Sequence, residues 1–388
     1  MLMLEFFLLP LAVGATAVVF GRRRQEDYER DIETAFRHLK VGTTVRDEHV
    51  YPKLVAKEKK DLYTRYVYRV PLGLTKKMLE PVKEVLEATL DRYVEVTFKK
   101  WLYIDVFHRE MPEKVLYKDV PDQNGWVIPL GLNEKGWCFH DFDKTPHCTI
   151  SGTTRFGKTV MLKNIMTYLI EHHPDDASFV ILDMKGGLEF GRYKNLKQVV
   201  DVASSPVEAF NVLGKVKVFM EQQEAEFKKN GWSNVVNTPI QKRLFVIVDE
   251  GAQLAPDRFM TKEHKDMLAA CQHTLGEIAR IGGALGIRLI FCTQYPTSDT
   301  LPRQVKQNAD LKITFRLPTG YASQVAIDDY GAEELPSDIK GRAIIKTHEK
   351  MIVQTPLIDD EEMERRLEVY RVEKPAHRTA NEDFIRFE

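Results

Sequence analysis

Cysteine is scarce and scattered: the 388 residues hold four, at Cys138, Cys148, Cys271 and Cys292, with no C-x-x-C pair and no histidine at metal-ligand spacing. That scarcity excludes a disulfide framework and a zinc site, and it fits a reducing compartment for the bulk of the chain. Charge of one sign is also lacking, since 56 Lys and Arg face 57 Asp and Glu for a formal net charge of -1. A subunit that coats nucleic acid through bulk basicity is excluded, and so is an acidic mimic of it. No internal repeat or low-complexity tract occurs. Hydrophobic residues make up 43% and charged residues 29%, which is enough to bury a sizeable core and excludes global disorder. At about 150 residues per domain, the length allows two or three compact units.

Long apolar runs are absent with one exception. Met1 to Phe20 is apolar apart from Glu5 and Thr16, and Arg22, Arg23 and Arg24 follow at once. Roughly 20 apolar residues cross a bilayer core. The three arginines after the run, and none before it, orient such a segment with the rest of the chain on the cytoplasmic side. A cleaved signal peptide, suggested by Ala15-Thr16-Ala17, and a docked interfacial helix are the competing readings. The expectation is a single-pass anchor over residues 1–24 in the cell membrane, with a juxtamembrane helix and linker over 25–60. Tyr28, Ile32, Phe36 and Leu39 recur at helical spacing in that charged stretch.

From Asp61 the pattern changes. TRYVYRVPL alternates as a strand, Thr75 to Leu90 has helical periodicity, and YVEVTF and WLYIDVF alternate again. This predicts a small α+β domain over 61–124, with a β-α-β-β module near 61–110. Over 125–358 short apolar strands (HCTISG, FVILDM, LFVIVDE, IRLIFCTQ, LKITFRL) alternate with helices. Near-continuously apolar strands of that kind imply an α/β motor domain on a mostly parallel sheet buried on both faces. A charged tail over 359–388 opens with one helix.

The chemistry is concentrated at strand ends. Gly152-Thr153-Thr154-Arg155-Phe156-Gly157-Lys158-Thr159 satisfies G-x-x-x-x-G-K-[ST] between the strand HCTIS and the helical run VMLKNIMTYLI. Backbone N–H groups in such a loop cradle phosphates, and the helix N-terminus adds its positive dipole end. Lys158 then places its charge on the β and γ phosphates of ATP and Thr159 ligates Mg²⁺. LFVIVDE ends in Asp249, placed to hold Mg²⁺ through water, and Glu250, placed to activate the attacking water. IRLIFCTQ ends in Gln294, an amide able to reach the γ-phosphate and report its loss.

With these residues in place, the segment from about Pro129 to Ile345 resembles the FtsK/SpoIIIE family of ring-shaped DNA-pumping ATPases. Pro146-His147 ahead of the loop, Asp183-x-Lys185 with Glu189 and Tyr193, Asp249-Glu250 and Thr293-Gln294-x-Pro296 all match. Asn308 to Arg316 matches with Lys312 in place of an arginine, and Gly331-Ala332-Glu333 with Leu335-Pro336 matches further on. The family usually has Gly-Ser where this loop has Arg155-Phe156, and an arginine where this chain has Gly283. Arg280, one turn earlier, is therefore the candidate for a finger acting on a neighbour's site, or else a surface residue of its helix.

The resemblance implies a RecA-like P-loop fold, a homo-hexamer around DNA and ATP at each subunit interface. Arg303 and Lys306, with Lys312 nearby, are the candidate pore contacts to DNA, against the alternative of a solvated loop. One anchor, a compact motor and too few residues after Ile345 for a sequence-reading domain suggest a conjugative-transfer coupling protein, with a relaxase and channel proteins as partners. A plasmid, phage or chromosome partitioning translocase and a nucleotide-binding membrane scaffold are the alternatives.

Overall fold

The computed structural model describes residues 27–45 and 47–373, and the chain divides into two compact units, Met1–Glu110 and Met111–Glu388. Each is described by itself. The run Met1 to Phe20, and with it the expected anchor, lies outside the described residues; among the described residues no helix is long and apolar enough to cross a membrane.

The first unit runs α1 (Glu29–His38), β1 (Thr43–Val45), β2 (Glu48–Val50), β3 (Lys53–Lys59), β4 (Tyr63–Arg69), α2 (Lys76–Leu90), β5 (Val94–Phe98) and β6 (Leu102–Phe107). Helix α1 follows the spacing read from the sequence, but it is not tethering chain. Its Ile32 and Phe36 are buried, with the Phe36 ring edge-on to Tyr68 at 5.1 Å, in a core shared with Val82 and Leu86 of α2. The four-stranded sheet has the order β3-β4-β6-β5. The predicted β-α-β-β module is its last three strands with α2. Strand β3 instead falls in the stretch expected to be a linker. Its sequence, KLVAKEK, carries charges suited to an edge strand, which reads as solvated chain until a neighbour pairs with it.

The second unit starts at Met111, so residues 111–124 lie in it rather than in the small domain expected to reach 124. It comprises β7 (Val115–Leu116), β8 (Val127–Asn133), β9 (Gly136–Asp141), β10 (Cys148–Ser151), α3 (Lys158–His172), β11 (Ala177–Asp183), β12 (Val199–Ala203), α4 (Pro206–Asn230) and β13 (Arg243–Asp249). After these come α5 (Lys262–Glu277), β14 (Ile287–Thr293), α6 (Arg303–Asn308), β15 (Leu311–Phe315), α7 (Gly320–Ile327), β16 (Arg342–Lys346), β17 (Lys350–Gln354), β18 (Pro356–Leu357) and α8 (Asp360–Leu367). Ten strands form one sheet in the order β12-β11-β13-β14-β10-β15-β16-β17-β8-β9.

The five strands read from the sequence are β10, β11, β13, β14 and β15, and all are parallel to their neighbours in that group. The other half of the sheet is antiparallel, a departure from the mostly parallel expectation. The turns between β8 and β9 and between β16 and β17 are too short for a parallel crossover. Alternate side chains of the parallel strands enter opposite cores. Phe179 and Ile181 pack on one face of the sheet, Val180 and Leu182 on the other, and β13 repeats the pattern with Phe245 and Val246. Burial on both faces is what makes these segments apolar without alternation.

At the amino ends of β13 and β14 a charged cluster replaces apolar packing. Arg243 donates to both oxygens of Asp143 at 2.9 and 3.0 Å, and Arg288, 1% exposed, donates to Asp143 at 2.6 Å. Burial raises the Asp143 pKa, but the two guanidiniums outweigh it and hold the carboxyl below its ordinary value. Removing one partner of a buried pair leaves an uncompensated charge. Asp143→Asn should therefore lower unfolding stability by about 3–5 kcal/mol, measured by urea denaturation at neutral pH. A change within experimental error would show that Arg288 does not need the carboxylate.

Candidate nucleotide-binding site

Strand β10 lies between β14 and β15 in the sheet and is followed directly by the loop Gly152–Gly157 and then by α3. The loop is shaped from below by Phe315 at the end of β15. A Cβ on Gly152 would come within 2.6 Å of the Phe315 side chain, and one on Gly157, whose φ is +125°, within 2.8 Å of its ring. Both glycines are therefore required by close approach. Arg155 sits at φ +73°, a left-handed conformation that costs an L-residue about 1–2 kcal/mol. This is the position where the resembling family usually has glycine, which adopts such a φ without that cost. Thr153 anchors the loop by donating its backbone N–H and its hydroxyl to the Arg316 carbonyl at 3.1 and 2.6 Å. Gly341 N–H donates to the Phe156 carbonyl at 3.0 Å.

The first residue of α3 carries the charge. Lys158 is 5% exposed, with Nζ 3.2 Å from Asp249 Oδ1 and 3.2 Å from Glu250 Oε2. Burial disfavours the ammonium, but the Asp249 carboxylate, with Cys292 and Glu250, more than offsets this and the pKa is raised. Glu250 follows β13 at φ +87°, strained as a non-glycine residue there, and Gln294 N–H donates to its Oε1 at 3.1 Å. The Gln294 side-chain oxygen in turn accepts from the Thr154 hydroxyl at 3.2 Å. The chain therefore brings together Gly152, Thr153, Thr154, Arg155, Phe156, Gly157, Lys158, Thr159, Asp249, Glu250 and Gln294 at the carboxyl ends of the strands.

Two groups of residues entered the site without being chosen as site residues from sequence. Lys185 Nζ lies 3.3 Å from Asp249 Oδ2. It arrives there because Asp183, fully buried, accepts from the backbone N–H groups of Glu189 and Phe190 at 3.0 and 2.8 Å and so folds the intervening turn. The motif Asp183-x-Lys185 was visible; the direction of Lys185 depends on that turn. The second group completes the wall. A cavity of about 740 Å³ is lined by the phosphate loop, Lys185 and Gln294 together with Val115, Ile339, Gly341 and Thr355 among others. Those wall residues come from sequence-distant strand ends with no motif to mark them.

The cavity is of nucleotide size. Asp249 Oδ1, beside Lys158, is buried and has no aligned hydrogen-bond partner, and Thr159 lines the cavity that Lys158 also lines, so the oxygen donors suit a hard dication such as Mg²⁺. Among the described residues no group of three His, Cys, Asp or Glu could hold a metal, so such an ion would take its other ligands from phosphate and water.

Arg280 is exposed on a single π-helical turn (Ile278–Gly282) before the amino end of β14, and it does not line its own chain's cavity. Arg303 is exposed on α6. Lys306 and Lys312 do converge, at 2.7 and 3.8 Å from Asp328, where their charge is partly met by a carboxylate. None of these three lines the cavity.

A phosphate loop at the centre of a β-sheet, with an Asp–Glu pair ending the strand two places away, defines a P-loop nucleotide-binding protein. Residues 126–242 match the model of the FtsK/SpoIIIE family. DNA translocase FtsK of Streptococcus pneumoniae is 29% identical over 263 residues, covering 63% of this chain and 33% of that protein. DNA translocase FtsK of Lactococcus lactis subsp. cremoris is also 29% identical, over 60% of this chain and 32% of its own length. The chain thus spans about a third of the length of these relatives. Among solved structures, the monomer form of the pCW3 conjugation coupling protein TcpA is similar with a TM-score of 0.62 at 22% identity, covering 88% of this chain and 98% of that one. The cytoplasmic domain of the type VII secretion ATPase EccC from Thermomonospora curvata has a TM-score of 0.54 at 19% identity, over 69% and 34% of the two chains. Over residues 126–242 the chain is thus similar to the FtsK/SpoIIIE family.

Just ahead of the loop, His147 Nδ1 accepts from Leu289 N–H at 2.9 Å and ties β10 to β14. Burial, with Arg288 nearby, pushes its pKa down to about 3, and burial pushes that of His140 down to about 4. Both are neutral when folded, whereas in the unfolded chain they take up protons near 6.5. The unfolded state thus binds more protons between those values, and stability falls as pH drops below 6.5, by up to about 1.4 kcal/mol per pH unit for each histidine. His147→Asn, which keeps an acceptor for Leu289, should flatten the decline in urea midpoint between pH 7 and pH 5. An unchanged slope would mean that His147 is not buried neutral.

Proposed function

We propose that the protein is a membrane-anchored, ring-forming ATPase that hydrolyses ATP to translocate DNA, acting as a conjugative-transfer coupling protein. The observation that carries the ATPase reading is that Lys158 and Gln294, which line the cavity, hold Asp249 and Glu250 directly behind it. The likeness to the TcpA conjugation coupling protein, whose fold this chain matches over 98% of that chain, supports the coupling role. The apolar run Met1 to Phe20 with Arg22 to Arg24 supports a cell-membrane anchor with the motor in the cytoplasm.

The chain's own groups supply the chemistry as follows. Lys158 would leave the carboxylates for the β and γ phosphates of ATP, which are anionic like them and are reached from the same loop. Asp249 and Thr159 would hold Mg²⁺, which neutralises phosphate charge when bound. Glu250, released from Lys158 but still held by Gln294 N–H, orients and activates the attacking water. The Gln294 side chain touches Thr154 of the loop, so loss of the γ-phosphate is felt at the end of β14. Arg280 stands away from its own cavity and would act on the site of the next subunit in a homo-hexamer. Arg303 and Lys306, with Lys312, would meet the DNA backbone; a relaxase and channel proteins are the partners this role requires.

The test is ATP turnover of a fragment lacking residues 1–24, with and without DNA. Glu250→Gln should keep nucleotide binding and lose about 10²–10⁴-fold in turnover, and reversing the charges of Arg303 and Lys306 should remove stimulation by DNA. Equal, negligible turnover in the parent and Glu250→Gln would instead indicate a scaffold that binds nucleotide without hydrolysing it.

A further inference from the structure

The first unit has a cationic surface that the motor reading does not use. Register places Lys53 of β3 directly opposite Arg69 of β4, and Arg69 beside Trp101, whose ring centroid lies 5.6 Å from the guanidinium. Lys99 and Lys100 form the turn that leads into Trp101, closed by the Lys99 N–H donating to the Trp101 carbonyl at 3.1 Å. All four cations are exposed and the indole is half-buried.

Two features distinguish this end of the sheet. Like charges directly opposite on paired strands are destabilising, yet among the described residues none of the four cations has a carboxylate partner. Further along the same strands the corresponding group is saturated. Arg65 lies 5.3 Å from the ring centroids of both Tyr63 and Tyr103 and makes two hydrogen bonds to Asp105, at 2.8 and 2.7 Å. The sheet thus neutralises its cation where the position is structural and leaves four of them unmet around Trp101.

We propose that Lys53, Arg69, Lys99, Lys100 and Trp101 form a binding face for single-stranded nucleic acid. The cations meet the phosphates, and the indole with the Arg69 guanidinium plane offers an unpaired base a stacking surface. A duplex, its bases already stacked, would use only the charges. The inference rests on the DNA reading above and adds the strandedness of the segment held by this unit.

The test uses the full chain and a fluorescent thirty-nucleotide dT oligonucleotide, with a duplex of equal length beside it, titrated across salt concentrations. The Lys53→Glu/Arg69→Glu variant should lose affinity for the oligonucleotide, and the slope of log affinity against log salt should shrink by about 1.4, at about 0.7 per phosphate contact. Trp101→Leu should weaken the single strand about tenfold and the duplex less, with Trp101→Phe restoring most of the loss and thermal melting confirming the fold. Parent-like affinity and slope in the charge-reversed protein would overturn the proposal, as would a parent that does not bind the oligonucleotide. If charge reversal lowers binding only to phosphatidylglycerol vesicles, the face belongs to a membrane and the proposal also falls. DNA-stimulated ATP turnover, measured in parallel on the parent, tests the motor reading separately.

Discussion

A buried ammonium between two carboxylates organises the motor unit. Lys158, Lys185, Asp249 and Glu250 make a balanced set of two positive and two negative charges, with Asp249 fully buried and Lys158 nearly so. Charges so far from water persist only when paired, and the surrounding structure is arranged to pair them. Phe315 forces the glycine loop into the path that starts α3 at Lys158, the Asp183 turn delivers Lys185, and a strained backbone at Glu250 turns its carboxylate back toward the loop. In this state no cation of the set is free for phosphate. In the proposed reaction a triphosphate would compete with two carboxylates for Lys158, and its arrival would free Glu250 to act on water. Binding and activation would thereby be joined through one side chain.

The legible part of the sequence was the part governed by short-range rules. The phosphate loop, the Asp–Glu strand end and the five apolar strands each sit within a dozen residues, and all five strands lie together in the sheet. Strand β3 was hidden because its apolar content is low and its stability comes from pairing with β4. The antiparallel half of the sheet was hidden because its direction depends on two tight turns and on pairing between sequence-distant strands rather than on composition. At the site, Gly157 could be read as a loop glycine, but the reason for it is Phe315, more than 150 residues away in the chain. The rest of the cavity lining, from Val115 to Thr355, is a product of topology and carries no local signature.

Charge tells the same story at a larger scale. A net charge of -1 conceals three different local solutions. The phosphate site is balanced within itself, the Asp143 cluster sets two arginines against one carboxylate at the opposite end of the strands, and the sheet of the first unit leaves four cations unpaired. Only the last is an open surface. Whole-chain arithmetic is blind to this, because the burial of each cluster decides what its charge is worth.

The two shortest strands of the motor unit have a mechanical meaning. β7 and β18 are parallel, Val115 beside Pro356 and Leu116 beside Leu357, and they are the first and last strands of that unit. Tension applied between Val115 and Leu357 would slide these strands past each other in shear, loading their contacts together instead of peeling them one at a time. Val115, Pro356 and Leu357 also line the nucleotide cavity. The seam that bears a pull on the chain is therefore a wall of the chamber in which the fuel would be bound, and strain along the polypeptide and occupancy of that chamber would act on the same few atoms.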